Sequence, residues 1–195
     1  LRLNGESDYD PSMDPIRALL FPLHITAFCL CDSLEEDQYL GASQIIIISA
    51  SSKTAIGLAQ GLADSKISPK VVGLTSVTNS KFVEDLGCYD EVINYDQLEK
   101  IDYSQGTVMV DMAGNRAILG TLHDKLADNL LKCLTVWMTH WDNKTTAEDA
   151  LGQAMLRERT EFFFAPAHIQ KRIGDWGHDG LSLIHISEPT RLRHI

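Results

Sequence analysis

The sequence predicts an α/β protein built on a doubly wound, mostly parallel, Rossmann-like sheet with helices on both faces. Two observations predict this fold. Short β-branched runs recur along the chain with about 10 to 15 residues of helical pattern between them, which is the spacing of right-handed βαβ units. The first run, SQIIIIS at 43–49, is apolar without a break, as is typical of a parallel strand covered on both faces. With 195 residues, of which 44% are apolar, the chain can bury one sizeable core.

Each element is predicted from its local pattern. Asp14 and Pro15 predict a helix start, and Pro22 is expected to interrupt or kink the apolar helix that follows. In the next helix, TAIGLAQGLADS, the residues Gly57 and Gly61 are expected to allow close packing on the strands. Further helices are predicted for NSKFVEDLG and RAILGTLHDKLADN, followed by a helix, a short aromatic strand and another helix start within 144–177. The remaining predicted strands lie at 70–76, 90–95, 106–114 and 130–141.

The charge, the cysteines and the apolar segments of the chain indicate which binding partners and which compartment to expect. The formal net charge of −10 and a pI near 5.0 leave no basic stripe to displace phosphate counterions, so we expect a small-molecule partner and no nucleic acid. The four cysteines, at 29, 31, 88 and 133, lack metal-type spacing and indicate thiols of a reducing compartment. No span reaches the ~18 apolar residues of a membrane helix, and no signal peptide opens the chain. We therefore expect a cytoplasmic protein without a membrane partner.

The two ends of the sequence differ from the rest. The chain begins with Leu1, and its first dozen residues are polar and patternless, which indicates a cut rather than a natural start. The segment LSLIHISEPTR at 181–191 resembles a translated sequencing adapter, the alternative being a real terminal strand and tail. We expect residues 181–195 to be a non-native tail.

The turn after the first predicted strand is the first candidate site. It reads Ser51-Ser52-Lys53-Thr54, where dinucleotide-binding proteins usually carry glycines. Glycines permit close approach, but the attraction for a phosphate comes from the unpaired amides and the dipole at the helix start. The hydroxyls at 51, 52 and 54 and the charge of Lys53 are therefore expected to hold a pyrophosphate. The alternative is that Ser52 or Thr54 is only an N-cap and Lys53 a solvated side chain.

The end of the second predicted strand decides which nucleotide is favoured. NAD sites usually place an acidic residue about 20 residues beyond the glycines, where it accepts hydrogen bonds from the ribose hydroxyls. Here the chain offers Ser76, Asn79 and Lys81, with no acid before Glu84, so an S-adenosylmethionine site is disfavoured as well. Donors of this kind suit a 2′-phosphate, which favours NADP(H) over NAD. Ser76 and Asn79 could instead cap the next helix. A P-loop does not fit, because it requires glycine at the position of Ile47.

Three segments in order resemble the cofactor domain of the medium-chain dehydrogenase/reductase superfamily, in its quinone-reductase-like branch. They read LFPLHITAF, VVGLTSVTNSKFVEDLGCYDEVINYD and VMVDMAGN, and the helix ending in Leu-Gly before VINY is characteristic of that branch. More narrowly, SASSKTAIGLA, MTHW and EFFFAP are similar to an uncharacterised family of dehydrogenase-like proteins known only as a domain of unknown function. The resemblance covers residues from about 13 to 180. The chain departs from the superfamily in its turn, where Ser51-Ser52-Lys53-Thr54 replaces the glycine-rich sequence.

The resemblance implies the cofactor-binding part of an NADP(H)-dependent oxidoreductase that transfers hydride to an activated alkene or carbonyl. It also implies a substrate domain before residue 1, so that this chain would be an inactive fragment of a two-domain protein. The chain is then divided into four parts. Residues 1–40 are a remnant of the substrate domain with a linking helix, and residues 41–142 are the Rossmann-like domain. Residues 143–180 are a truncated helix and strand segment, and residues 181–195 are the tail. The alternative is a non-catalytic NADP(H)-binding sensor or scaffold.

Residues at two further strand ends are candidates for the nicotinamide end of the cofactor. Ala113 and Gly114 could let the nicotinamide ribose approach, and Thr139 could donate to the carboxamide. His140 is the candidate catalytic residue, with a buried, hydrogen-bonded histidine as the alternative. Asp111 is interpreted as an acceptor for backbone amides and not as a base.

The remaining histidines and the aromatic run are assigned structural roles. His123, His168 and His178 lack metal-site spacing and are expected to be surface or core residues, so no metal site is predicted. The run at 162–164, three phenylalanines, is expected to be core, or a sheet edge at a homodimer interface.

Overall fold

The computed structural model of this protein describes residues 12, 14–65, 67–136 and 159–175. Its helices are α1 (Asp14–Glu36), α2 (Lys53–Asp64), α3 (Val77–Asp85), α4 (Arg116–Leu126) and α5, which is helical from 165 to 175. Its strands are β1 (Gln44–Ile48), β2 (Lys70–Thr75), β3 (Glu91–Asn94), β4 (Thr107–Asp111), β5 (Leu130–Thr135) and β6 (Thr160–Phe162). The predicted helix between β5 and β6 lies outside the described residues.

The six strands form one parallel sheet in the order β3-β2-β1-β4-β5-β6. The chain starts in the middle of the sheet, extends it in one direction to β3, and then returns to extend it in the other direction from β4. This is the doubly wound arrangement that the sequence predicts. All five residues of β1 and all five of β4 are buried, because helices or loops cover both faces of the central strands.

Alternate residues of the central strands face two separate cores. Ile45, Ile47 and Val110 pack on one face with residues of α1 and α2. Ile46 and Ile48 pack on the other face with residues of α4 and of the β3–β4 connection. The period-2 alternation of a strand therefore distributes one isoleucine run between two layers.

Helix α1 continues through Pro22, so of the two predicted outcomes, an interruption or a kink, the interruption is wrong. A proline inside a helix removes one backbone hydrogen bond, which costs about 3 kcal/mol, and packing beyond it can offset that cost. Beyond Pro22, the residues Ala27 and Leu30 are buried in the core that α1 shares with α2. The Thr26 hydroxyl also donates to the Pro22 carbonyl at 2.7 Å.

The glycines of α2 contact a helix and not the strands, which corrects the prediction about their partner. A Cβ atom at Gly57 would lie 3.0 Å from Ala27 Cβ, and one at Gly61 would lie 3.1 Å from Cys31 Sγ. Both neighbours belong to α1. An apolar side of α2 is also buried, through residues that include Leu58 and Leu62. Small residues on α2 thus allow α1 to form a second layer over the sheet.

Among the described residues, one helix is long and apolar enough to cross a membrane by length and composition alone. The segment Ala18–Glu36 of α1 has a mean hydropathy of 1.4. The expectation that no span reaches this threshold is therefore wrong. In the structure 22% of this segment is buried, through residues that include Ala27, Cys29 and Leu30, which pack on α2.

Two strands are shorter than predicted. β4 ends at Asp111 instead of Gly114, because the Asp111 carboxylate accepts hydrogen bonds from the amides of residues 113 and 114 and turns the chain. β5 ends at Thr135, and the predicted continuation at 137–141 lies outside the described residues. The four cysteines are thiols, with Cys31 half-buried and the other three buried.

Candidate functional site

The candidate site lies at the carboxyl ends of three neighbouring strands. Ile48 at the end of β1 is in register with Leu74 of β2 on one side and with Asp111 of β4 on the other. The strand order reverses at β1, so this is the position where ligands of doubly wound sheets bind. The parallel register therefore brings the predicted groups at 51–54, 76–79 and 111–114 to one edge of the sheet.

The turn between β1 and α2 is tight and begins with a residue in an unusual conformation. Ser49 has a φ of 66°, in the left-handed region that favours glycine. The Ser52 amide donates to the Ser49 carbonyl at 2.9 Å and closes the turn. Ser52 is the N-cap of α2, and its hydroxyl oxygen accepts a hydrogen bond from the Ala55 amide at 3.3 Å. For Ser52, the capping alternative raised from the sequence is the role that the structure supports.

Three amides of this turn remain available to a ligand. Within the described part of the chain, the amides of Ser51, Lys53 and Thr54 have no hydrogen-bond acceptor. They lie at the start of a 12-residue helix, where the dipole adds roughly half a positive charge. Lys53 is exposed and forms no ion pair with any described residue, whereas Thr54 is 8% exposed. Amides and a free ammonium group at one helix start form a donor set suited to an anion.

The β2–α3 turn is joined directly to this donor set. Asn79 Nδ2 donates to Ser51 Oγ at 3.1 Å, so the two candidate groups are in contact. Ser76 is the N-cap of α3 without a side-chain capping bond, and its carbonyl accepts from the Asn79 amide at 3.0 Å. Lys81 is 84% exposed and is paired with both carboxylate oxygens of Asp85 at 3.0 Å. The structure thus brings Ser51 and Asn79 together and finds Lys81 engaged along its own helix.

The end of β4 is organised by a buried carboxylate. Asp111 is 2% exposed and accepts hydrogen bonds from the Ala113 amide at 2.9 Å and from the Gly114 amide at 3.0 and 3.1 Å. Burial raises the pKa of Asp111, and the two amide bonds oppose that shift. The interpretation of Asp111 as a backbone acceptor is confirmed. Gly114 has a φ of 66°, and Thr139 and His140 lie outside the described residues.

Two tyrosines that the sequence analysis did not assign contact the β1–α2 turn. The Ser49 amide donates to Tyr95 Oη at 3.1 Å, and Tyr89 Oη donates to the Ala50 carbonyl at 2.9 Å. Burial raises the pKa of both phenols. The VINY segment contains Tyr95, but nothing in its spacing indicates that this hydroxyl reaches position 49. A sequence signal for Tyr89 is equally absent.

Two further polar atoms near these strand ends are buried without a partner. Thr75 Oγ1 and Asn94 Oδ1 have no hydrogen-bond partner among the described residues. Thr75 and Asn94 are register partners at the ends of β2 and β3. Nothing in the sequence pattern indicates that these two polar atoms are buried without a partner.

The histidines within the described ranges have structural positions. His168 is 9% exposed, and its Nε2 lies 2.6 Å from Asp32 Oδ2. Burial lowers the pKa of His123 to about 4. No group of three or more His, Cys, Asp or Glu side chains that could hold a metal ion occurs among the described residues. Phe163 is buried in the core, whereas Phe162 and Phe164 are exposed at the edge of the sheet with ring centroids 6.2 Å apart. His178 lies outside the described residues.

Comparisons with known proteins show the family of this chain. A family model described as "Protein of unknown function (DUF2855)" matches residues 1–183. A search of curated proteins gave no significant match.

Solved structures with the same fold include CurA and galactitol-1-phosphate dehydrogenase. CurA from Vibrio vulnificus in complex with NADPH aligns with a TM-score of 0.51 and 15% identity, over 90% of this chain and 55% of CurA. Galactitol-1-phosphate dehydrogenase from Escherichia coli aligns with a TM-score of 0.51 and 14% identity, over 81% of this chain and 44% of that enzyme. This chain therefore spans about half the length of the structures it matches, and at such identities the likeness shows the fold.

Proposed function

The chain belongs to the DUF2855 family of proteins of unknown function, and from the geometry of its strand ends we propose that it binds NADP(H). In this proposal it is the cofactor-binding part of an oxidoreductase of the medium-chain, quinone-reductase-like type. The observation that carries the proposal is the set of three free amides at the start of α2, at the point where the strand order reverses. The fold shared with the NADPH complex of CurA supports it.

The donor set fits the pyrophosphate of a dinucleotide. The amides of Ser51, Lys53 and Thr54 would donate to phosphate oxygens, and the Lys53 ammonium group would add a full positive charge. Ser51 Oγ already accepts from Asn79, so its own proton remains available to a phosphate oxygen. Backbone amides therefore supply the contacts that a glycine-rich turn supplies elsewhere.

The adenosine phosphate is proposed to bind at the β2–α3 turn. Ser76 and Asn79 offer hydroxyl and amide donors there, and Lys81 could exchange its exposed pairing with Asp85 for a phosphate. No carboxylate occupies the end of β2, where one would repel a 2′-phosphate. This chemistry favours NADP(H) over NAD.

The nicotinamide end would lie toward β4, beside Ala113 and Gly114. NADPH supplies a hydride when bound, and the protein supplies orientation and exclusion of water. In the intact enzyme, the acceptor would be an activated alkene or carbonyl. Thr139 and His140 stay proposals for contacts to the carboxamide and the substrate.

A non-catalytic sensor or scaffold is the second candidate function. One observation favours it, namely that both oxygens of Asp111 are occupied by backbone amides. Because Asp111 is also only 2% exposed, its carboxylate is not accessible as a base for a substrate proton. Turnover of NADPH with quinone or enone acceptors would separate the enzyme from the sensor.

The proposal is tested by titrating the purified protein with NADPH and with NADH, followed by calorimetry. We expect NADPH to bind more tightly. Lys53→Ala should weaken the binding of both nucleotides by about 1 kcal/mol or more, because it removes a charge-assisted hydrogen bond. The matched control is Lys100→Ala, which removes an exposed lysine on the β3–β4 connection and should leave binding unchanged.

Two results would contradict parts of the proposal. Absence of heat with both nucleotides would refute NADP(H) binding altogether. A preference for NADH by about tenfold or more, which is about 1.4 kcal/mol, would refute the assignment of Ser76, Asn79 and Lys81 to the phosphate. Equal affinities of the two lysine variants would leave Lys53 as a solvent-facing side chain.

A further inference from the structure

We propose that Tyr89 and Tyr95 are positioning residues, which hold the β1–α2 turn in the conformation that keeps three amides free for an anion. The inference rests on the proposed binding of a dinucleotide at that turn. Neither side chain is proposed to touch the ligand. Each acts through a backbone group of the turn.

The first step concerns the conformation of Ser49. A residue other than glycine in the left-handed region is strained, because its Cβ atom lies too close to the backbone. Ser49 nevertheless has a φ of 66°, at the point where the chain leaves β1. Its amide donates to Tyr95 Oη at 3.1 Å, and Tyr95 is anchored on the sheet because its own amide donates to the Thr75 carbonyl at 3.0 Å. The hydrogen bond to Tyr95 therefore offsets part of the conformational cost that glycine would avoid.

The second step concerns Ala50. This residue is fully buried, its amide donates to the Leu74 carbonyl at 2.9 Å, and its carbonyl accepts from Tyr89 Oη at 2.9 Å. Because a buried carbonyl without a partner is costly, the Tyr89 hydroxyl stabilises this arrangement. A Cβ atom on Gly73 would lie 2.8 Å from Tyr89 Cδ1 and 3.0 Å from Ala50 Cβ. Because Gly73 lacks a Cβ atom, the Tyr89 ring can pack beneath the turn.

The turn is thereby divided into an occupied part and a free part. All four backbone polar groups of Ser49 and Ala50 have partners, and two of those partners are tyrosine hydroxyls. The next amide, that of Ser51, is the first without an acceptor among the described residues. Fixing the two residues before it fixes the direction in which the free amides point. Preorganised donors bind an anion without the cost of ordering them.

Both hydroxyls are in the protonation state that this role requires. Burial raises the pKa of Tyr89 and of Tyr95, so both phenols are neutral around neutral pH. A neutral phenol at 89 can donate to a carbonyl, and a neutral phenol at 95 still has lone pairs to accept from an amide.

The test uses Tyr89→Phe and Tyr95→Phe, with Tyr103→Phe as the matched control. Tyr103 Oη donates to the Leu98 carbonyl at 2.7 Å, so the control also removes a phenol bond to backbone, but on the β3–β4 connection. We expect the Kd for NADPH to rise about fivefold or more in the first two variants, as loss of a bond worth about 1 kcal/mol predicts. The Kd should change less than about twofold in Tyr103→Phe. All three variants should lose thermal stability to a similar extent, which separates positioning from general weakening of the fold.

Hydrogen exchange at the hydrogen-bonded amides of Ser49, Ala50 and Ser52 provides a readout that needs no nucleotide. We expect faster exchange there in Tyr89→Phe and Tyr95→Phe, and unchanged exchange in Tyr103→Phe. If the wild-type protein binds neither NADPH nor NADH, the proposed function fails, and the exchange rates alone decide whether the tyrosines hold the turn. Exchange rates and NADPH affinities that match those of the control would overturn the inference.

Discussion

At the scale of single residues, two buried threonines in this sheet differ in whether their hydroxyls are satisfied. Thr75 is 1% exposed at the end of β2, and its Oγ1 has no partner within the described ranges. Thr107 is fully buried at the start of β4, where its hydroxyl donates to the Gln105 carbonyl at 2.8 Å and accepts from Gln44 Nε2 at 2.8 Å. The hydroxyl of threonine therefore lowers the stability of the fold at position 75 and raises it at position 107.

This difference predicts opposite effects of the same substitution. Thr75→Val should raise the free energy of unfolding by up to about 1 kcal/mol, because it removes a buried hydroxyl without a partner. Thr107→Val should lower it by about 1 to 3 kcal/mol, because the Gln105 carbonyl and the Gln44 amide then lose a partner. Urea denaturation of both variants measures the two changes. A loss of stability in Thr75→Val would show that its hydroxyl has a partner after all.

For residues of the candidate site, the sequence predicted the type of contact that a side chain can make, but it did not predict which partner the side chain contacts. Asp111 accepts from backbone amides, as its position before Ala113 and Gly114 predicted. The sequence left Ser52 between phosphate ligand and N-cap, and the bond from the Ala55 amide favours the cap. Lys81 was selected for its charge, but the sequence could not indicate that Asp85, one helical turn later, already pairs with it.

At the scale of elements, the β1–α2 connection depends on a glycine in the neighbouring strand. Gly73 lies in β2, where its missing side chain makes room for Tyr89 and Ala50. Glycine in the interior of a strand is unfavourable by itself, so its presence marks a close approach. The turn, the strand beside it and the tyrosine below it form one packing unit.

Two glycine substitutions test this packing. Gly73→Ala should lower the free energy of unfolding by about 1 to 3 kcal/mol, since the new methyl group would lie too close to the Tyr89 ring and to Ala50 Cβ. Gly120→Ala is the control, because among the described residues no atom outside the local backbone of α4 lies within 4 Å of the added Cβ. It should stabilise the protein by about 0.5 to 1 kcal/mol. Thermal denaturation gives both values. Stabilisation by both alanines would contradict the close approach at position 73.

Helix α1 shows where element prediction fails. Its start at Asp14 was predicted, but the expected interruption at Pro22 was not found. Local propensity disfavours helix at that point, whereas burial of the later turns against α2 favours it. The partner of the small residues in α2 was missed for the same reason, because the position of α1 over α2 is a tertiary fact.

At the scale of the whole molecule, an ion-pair network joins the first and last described helices. Asp32 Oδ2 of α1 lies 2.6 Å from His168 Nε2 and 2.5 Å from Arg172 Nε, both in α5. Glu36 of α1 extends the network through Lys171 at 2.6 Å. The side chains of His168, Arg172 and Asp32 are 8%, 11% and 17% exposed, so their pairing is largely shielded from water. The network holds the chain after β6 against the layer formed by α1.

Removal of Asp32 should therefore be costly. Asp32→Ala is expected to lower the free energy of unfolding by about 1 to 3 kcal/mol, because it leaves the largely buried Arg172 guanidinium group and the His168 ring without their shared acceptor. Asp85→Ala, the control, breaks the exposed pair with Lys81 and should change stability by less than about 0.5 kcal/mol. Urea denaturation at low and at high salt would measure the change in stability of both variants. Equal, small effects would show that the α1–α5 network contributes nothing to the fold.

The sequence by itself determined the parallel, doubly wound sheet and the turn at which a nucleotide is proposed to bind. These follow from local information, because periodicity, β-branched runs and crossover lengths specify strands, helices and their order. Only the tertiary structure decided that two tyrosines hold that turn, that α1 stays helical past its proline, and that Asp32 meets residues 136 and 140 positions away. Those contacts join segments that are distant along the chain, and no local pattern encodes which distant hydroxyl, methyl or carboxylate will come to lie against them.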